Sequence, residues 1–307
     1  MKIQSIALVG LGAVGIMYAR TITDALGKDI LAVAADADRI RRYRSEGVYA
    51  NGHLCNFHYI DWEEAAPVDL VLFVTKYTSF AAAVAGARRL IGPRTILLSL
   101  LNGIVSEEDL AKAYGPDSLL YCTVQGMDAT KEGNNVSYRN IGYFAIGEKD
   151  GHVSGRVLAV KELLESAGIP CRVPEDILRH QWSKMMLNAG INQVTAVYNA
   201  TYGEVLQQQL LYQMMVDGME EVQAIAAAEG ICLTDQDILD WIDLVKTLAP
   251  EGTTSMCQDV RARRKTEVDL FAGTAIRLGK VHGIPTPVNQ LLYDKIREIE
   301  IGQINRF

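Results

Sequence analysis

No stretch of this 307-residue chain approaches the ~20 consecutive apolar residues that a membrane-spanning helix needs. Cysteine is scarce and badly spaced for crosslinking. Cys55, Cys122, Cys171, Cys232 and Cys257 are odd in number, lie far apart and include no CxxC pair. This excludes a disulfide scaffold and a zinc ladder, and predicts a reduced, cytoplasmic chain. His53, His58, His152, His180 and His282 form no HExxH-like cluster, so no metal is expected. Cations are in deficit: 30 Lys and Arg stand against 37 Asp and Glu, a formal net charge of −7. That balance argues against a nucleic-acid or membrane-surface partner. The N-terminal apolar run leads into a glycine turn without a small-residue cleavage pattern, so it is not read as a secretory signal. Repeats and low-complexity segments are also missing.

Hydrophobic residues make up 49% of the chain and charged residues 22%, the balance of a soluble globular protein with room for two domains. Apolar runs at Ile3–Val9, Ile30–Ala35, Leu70–Val74, Thr95–Leu101 and Leu119–Val124 alternate with helical patterns. Those patterns fall at Ala13–Leu26, Asp38–Glu46, Ser79–Leu90 and Glu107–Tyr114. Such alternation implies βαβ units and a parallel sheet. Val136–Ile146 reads as added edge strands, Ser154–Ala167 as a helix and Cys171–Val173 as a last short strand. From about residue 175 to 300 the periodicity is helical, with breaks near Tyr202–Gly203, Gly230, Pro250–Gly252 and Gly283–Pro287. The expected architecture is an α/β Rossmann-type doubly wound sheet over residues 1–173 plus an all-α C-terminal domain over 174–307.

The sequence Gly10-Leu11-Gly12-Ala13-Val14-Gly15 follows the first strand pattern and opens the first helix. In that context each glycine has a task. Gly10 permits the tight turn, Gly12 lets the backbone approach a pyrophosphate, and Gly15 lets helix and strand pack closely. The helix N-terminus offers unpaired N–H groups to phosphate. Cofactor binding is therefore expected at Gly10–Gly15. Asp36, at the end of the second strand, either bonds the ribose 2′-OH of NADH or caps the following helix. Arg39, Arg41 and Arg42 follow it, and one of them is within reach of a 2′-phosphate.

Gln181–Val197 reads as one helix. Lys184, Asn188 and Asn192 are spaced i, i+4, i+8 on it, stacked at about 6 Å intervals on one face. Met185, Met186, Leu187, Ile191, Val194 and Val197 around them should be buried. An ammonium and two amides on such a helix are costly unless they face a polar cavity. Amides that hold a small anion, beside a lysine that protonates a developing alkoxide, fit that requirement.

These motifs resemble the ketopantoate reductase family. The resemblance rests on the GLGAVG start, Val74-Thr75-Lys76, Leu101-Asn102-Gly103, Lys184-x₃-Asn188-x₃-Asn192, Ser255-Met256-Cys257-Gln258-Asp259-Val260-Arg261 and Thr266-Glu267-Val268-Asp269. It runs in order along nearly the whole chain. It implies reduction of ketopantoate, a small anionic 2-oxo acid, to pantoate with NADPH, with NADH the alternative because of Asp36. It also implies roles. Lys184 is the general acid, and Asn188, Asn192 and Ser255 hold the substrate. Asn102 lies between nicotinamide ribose and substrate, Lys76 lines the cofactor cleft, and Glu267 bonds the cofactor. Ser255 and Glu267 would lie about 18 Å apart on a continuous helix, so that helix must run along an elongated cofactor–substrate pair. Tyr202 departs from the pattern, standing where the family often has asparagine. The implied site is a cleft between the two domains, and the helical half is compatible with a homodimer.

Overall fold

The computed structural model describes residues 2–304 and divides into two compact units. The first comprises the residues up to Asn102 together with Ser106–Ile177; the second comprises Gly103–Val105 and the chain from Leu178 onward.

The first unit runs β1 (Ile6–Val9), α1 (Ala13–Leu26), β2 (Leu31–Ala35), α2 (Ala37–Glu46), β3 (Tyr49–Ala50), β4 (His53–Leu54) and β5 (His58–Asp61). It continues through β6 (Leu70–Phe73), α3 (Phe80–Gly86), β7 (Ile96–Ser99), α4 (Ser106–Tyr114), β8 (Tyr121–Met127), β9 (Thr130–Glu132), β10 (Asn135–Ser137), β11 (Ile141–Gly147), α5 (Gly155–Ser166) and β12 (Cys171–Arg172). The principal sheet has five parallel strands in the order β5-β2-β1-β6-β7. Strand alternation explains why β1, β2, β6 and all of β7 but Ser99 are apolar, while the edge strand β5, His58–Asp61, is not. Ile6, Leu8, Leu70, Leu72, Ile96 and Leu98 pack with Ile16, Met17, Ile22 and other α1 residues. The intervening Ala7, Val9, Val71, Phe73 and Leu97 pack with Phe80 and Ala83 of α3 and Leu110 of α4. A sheet buried on both faces by helices is the doubly wound arrangement expected from the sequence. Each large side chain buried this way contributes roughly 1.5–3 kcal/mol.

Two smaller sheets complete the unit, β4-β3-β10-β9 and β12-β11-β8. The second corrects the sequence reading: β11 is a central strand, flanked by β8 and β12, rather than an edge. Tyr18 of α1 fastens it. The phenol donates to the Ile141 carbonyl at 2.8 Å, and the ring meets Phe144 edge-on at 4.8 Å.

The second unit is helical: α6 (Ile177–Leu187, its first residue in the first unit), α7 (Gln193–Tyr198), α8 (Tyr202–Gln207), α9 (Gln209–Ala228), α10 (Asp235–Thr247), α11 (Ser255–Arg261), α12 (Thr274–His282) and α13 (Pro287–Ile304). Asn199 ends α7 in the left-handed conformation, and a Thr201–Glu204 capping box starts α8. Met185, Met186, Met215, Met219, Leu270, Phe271, Leu292 and Ile296 are among its buried core residues. No described helix is long and apolar enough to cross a membrane.

Two π-helical turns interrupt the regular pattern, at Asn188–Asn192 and Asp269–Gly273. The expected single helix over 181–197 is therefore α6, a π turn and α7. Met185, Met186, Ile191 and Val194 are buried as expected, whereas Leu187 and Val197 are half-buried. The first π turn packs on α9 through two glycines. A Cβ at Gly190 would lie 2.7 Å from Met219 Cγ and 2.8 Å from the Met215 carbonyl, and one at Gly218 would be 3.7 Å from Gly190 Cα.

Candidate active site

In the parallel sheet the loops after β1, β2, β6 and β7 all leave the carboxyl edge. They carry Gly10–Gly15, Asp36, Val74–Lys76 and Leu100–Asn102 respectively. The chain reverses its winding between β1 and β6, which is where doubly wound sheets take their ligands. The loops after β1 and β6 touch. Gly10 has φ +113°, and a Cβ there would lie 2.8 Å from the carbonyl carbon and oxygen of Val74. At Gly15 a Cβ would sit 2.0 Å from the Gly10 carbonyl oxygen, so α1 can approach the turn only without a side chain. Gly12 differs: a Cβ there meets nothing nearer than 3.9 Å, which leaves room above the loop. Gly12 is also the N-cap of α1 and makes no side-chain cap, and the first turn holds no acidic residue. The first N–H groups of α1 are thus presented to an anion. These residues fit a dinucleotide pyrophosphate.

Asp36 caps α2. Its carboxylate accepts from the Arg39 backbone N–H at 2.8 Å and pairs with the Arg39 guanidinium at 3.1 Å. Lys76 is exposed and Asn102 half-buried at their strand ends. Thr75, between Val74 and Lys76, was given no role of its own in the sequence; its buried hydroxyl has no hydrogen-bond partner.

In the second unit, Lys184 is half-buried near the end of α6, and Asn188 and Asn192 are buried on the π turn. Asn192 Nδ2 donates to Asn188 Oδ1 at 3.2 Å, so the amides adjoin as their spacing implied. Asn188 Nδ2 is buried with no partner. An orphaned buried donor of this kind costs roughly 1–3 kcal/mol, which makes Asn188 a candidate ligand-binding residue.

Ser255 is the first residue of α11 and is exposed; the cap of that helix is its neighbour Thr254, whose hydroxyl accepts from Cys257 N. Thr254 is fixed in turn by Thr195 of α7, hydroxyl to hydroxyl at 2.6 Å. This link, invisible in the sequence, ties the Ser255 turn to the helix that follows Asn192. Glu267 does not share a continuous helix with Ser255, which corrects the sequence reading. Helix α11 ends at Arg261, and Arg263 is left-handed at φ 52°. Glu267 lies on a bend anchored at both sides to α13. Thr266 donates through N and Oγ1 to Glu300 at 2.8 and 2.7 Å, and Arg297 grips Asp269 at 2.5 and 2.7 Å.

The π turn is held from behind by another group that sequence reasoning missed. Gln193 Nε2 donates to the Ala189 carbonyl at 2.6 Å and to Asn289 Oδ1 at 2.9 Å. Asn289 Nδ2 donates to Glu221 at 2.7 Å. Neither Asn289 nor Glu221 belongs to a recognisable motif.

A doubly wound sheet with a glycine loop at its switch point, joined to a helical unit that carries a lysine and a buried amide pair, defines an NAD(P)-dependent oxidoreductase acting on a C=O or CH–OH group. Comparison with known proteins narrows the class. The family model for ketopantoate reductase PanE/ApbA matches residues 6–151, and that for its C-terminal part matches residues 176–300. A 2-dehydropantoate 2-reductase of Archaeoglobus fulgidus is 28% identical over 302 residues, covering 98% of this chain and 100% of that protein. Among solved structures, a putative ketopantoate reductase from Ralstonia solanacearum superimposes with a TM-score of 0.87 at 23% identity, over 98% of this chain and 99% of that one. A D-mandelate dehydrogenase with NADH and anilino(oxo)acetate gives 0.86 at 21%, over 97% and 99%. The chain belongs to the ketopantoate reductase family.

Proposed function

We propose that this protein is a 2-dehydropantoate 2-reductase, reducing the C2 carbonyl of ketopantoate to pantoate with NADPH. The observation that carries the reading is the orphaned, buried Nδ2 of Asn188 beside Asn192, on the helix that bears Lys184. When bound, the reduced nicotinamide supplies the hydride. The residues of the chain supply the rest. The Gly10–Gly15 loop and the start of α1 hold the pyrophosphate, with Leu11, Ala13 and Val14 contributing backbone. Lys76, Asn102 and Glu267 are assigned to the remainder of the cofactor, with Asn102 also touching substrate. The amides of Asn188 and Asn192 and the hydroxyl of Ser255 orient the 2-oxo acid. Lys184 then donates a proton to the C2 oxygen, which would otherwise become an alkoxide. NADPH is favoured over NADH because both carboxylate oxygens of Asp36 are engaged by Arg39.

Replacing Lys184 with Met tests the assignment. Loss of a general acid should lower kcat by about 10²–10⁴-fold, with NADPH affinity unchanged by fluorescence titration. Undiminished turnover would remove Lys184 from the mechanism.

A second reading has a specific residue behind it. Tyr202 opens α8 where the family often has asparagine, and its ring lies 3.1 Å from where a Cβ on Gly252 would sit. A different side chain there favours reduction of a related 2-oxo acid by the same residues. The D-mandelate dehydrogenase complex holds such a compound on this fold.

A further inference from the structure

We propose that Gln193 is a positioning residue: its side chain holds the π turn at Asn188–Asn192 open, and Asn289 and Glu221 hold Gln193 in place. The proposal rests on the reading above, in which the Asn188 and Asn192 amides take the 2-oxo acid, and it assigns the residues that aim them.

A regular α-helix turns about 100° per residue, so each of Asn188 and Asn192 would advance about 40° past the residue four before it. Lys184 and Asn192 would then point about 80° apart. A π turn holds more than four residues, so the step from Asn188 to Asn192 falls short of a full circle. It swings Asn192 back toward the line of Lys184. The widened turn is thus what keeps the lysine and both amides on one side of the helix. Widening also displaces the backbone ladder by one residue, which strips one carbonyl of its N–H donor. Such a turn needs a substitute donor, and Gln193 provides one. Its Nε2 donates to the Ala189 carbonyl, inside the turn, at 2.6 Å.

Gln193 can be aimed in only one way. Asn289 Nδ2 is committed to Glu221 at 2.7 Å and to the Gly218 carbonyl at 3.2 Å, so Asn289 presents Oδ1 to Gln193. Gln193 therefore turns Nε2 toward Asn289, at 2.9 Å. Glu221 is fixed in turn by the start of α13. It accepts from the backbone N–H groups of Val288 and Asn289 at 2.7 and 2.9 Å, where the helix dipole favours a negative charge. Gln193 and Asn289 are both fully buried. This arrangement does not satisfy every group it buries. Gln193 Oε1 has no partner, and neither has Asn188 Nδ2. Two of the five such atoms among the described residues therefore fall between positions 188 and 193. Unpaired groups concentrated in one turn mark a segment shaped for a ligand at some cost in stability.

Steady-state kinetics with ketopantoate and NADPH test the proposal on wild type, Gln193→Met, Asn188→Leu and the double variant, with a melting profile for each. Methionine keeps the length of glutamine and removes its donor and acceptor. Small misplacements of binding groups are costly, so Gln193→Met should raise KM about tenfold while NADPH affinity changes less than about twofold. Because Gln193 acts through the amides, its substitution should add less than about twofold to the KM of Asn188→Leu. Glu221→Gln, at a half-buried position, loosens the same chain of bonds and should raise KM in the same direction. It decides the question if Gln193→Met does not fold. KM increases that multiply in the double variant would overturn the proposal. So would a lower melting temperature with unchanged KM, which would make Gln193 purely structural. In both cases the amide reading stands, provided that Asn188→Leu alone raises KM. An unchanged KM for Asn188→Leu would overturn both.

Discussion

Asn188 shows what one residue reveals when burial and hydrogen bonding are accounted together. Its carbonyl is paired with Asn192, and its amino group is buried with nothing to donate to. A protein under selection for stability alone would fill that position with an apolar side chain. Asn188→Leu should therefore leave the melting temperature unchanged or raise it, while raising the KM for the 2-oxo acid roughly tenfold to a hundredfold. A lower melting temperature with an unchanged KM would make the amide structural. At this scale the sequence was partly legible. Lys184, Asn188 and Asn192 stand out because polar residues at helical spacing among methionines are expensive to bury. At Asp36 the sequence leaves a cap and a ribose ligand open, since both need the same residue type at the same place; the coordinates show the cap. Thr195 and Thr254 carried no signal, because a hydroxyl pair 59 residues apart in sequence leaves no local pattern.

Among the elements, long apolar runs were legible and short ones were not. Strands β1, β2, β6 and β7 could be read because both faces are buried and nearly every position is apolar, whereas the edge strand β5, His58–Asp61, is polar and was missed. Strands β3 and β4 span two residues each, too few to show alternation; they form a local hairpin that joins a sheet only because β3 pairs with the distant β10. The π turn at Asn188–Asn192 was equally hidden. One widened turn leaves the residue types unchanged and alters only which carbonyl each N–H meets. Its structural support is the close crossing of Gly190 over α9. Gly190→Ala should cost about 1–3 kcal/mol by overpacking, seen as a melting temperature lower by several degrees. Gly155→Ala, at the start of α5 where a Cβ meets nothing within 4 Å, should cost nothing. Equal effects of the two substitutions would mean that the crossing has slack.

At the scale of the whole molecule, the two units carry different groups of the proposed chemistry. The first has the glycine loop at the switch point of a parallel sheet; the second has the lysine, the amides and the serine. Fold class was legible in both halves, since alternating βα patterns followed by helical periodicity broken only at turns admit few architectures. Segment Gly103–Val105 was not, because it groups with the helical unit although it lies within the Rossmann half of the sequence. Choice of substrate is the hardest property to read from either source, because members of a fold family differ by single side chains such as Tyr202. The measurement that tests the account most directly is loss of NADPH absorbance on adding ketopantoate to the purified protein, with NADH run in parallel. The account predicts rapid oxidation of NADPH and much slower oxidation of NADH. Tight NADPH binding without any ketopantoate-dependent oxidation would contradict it.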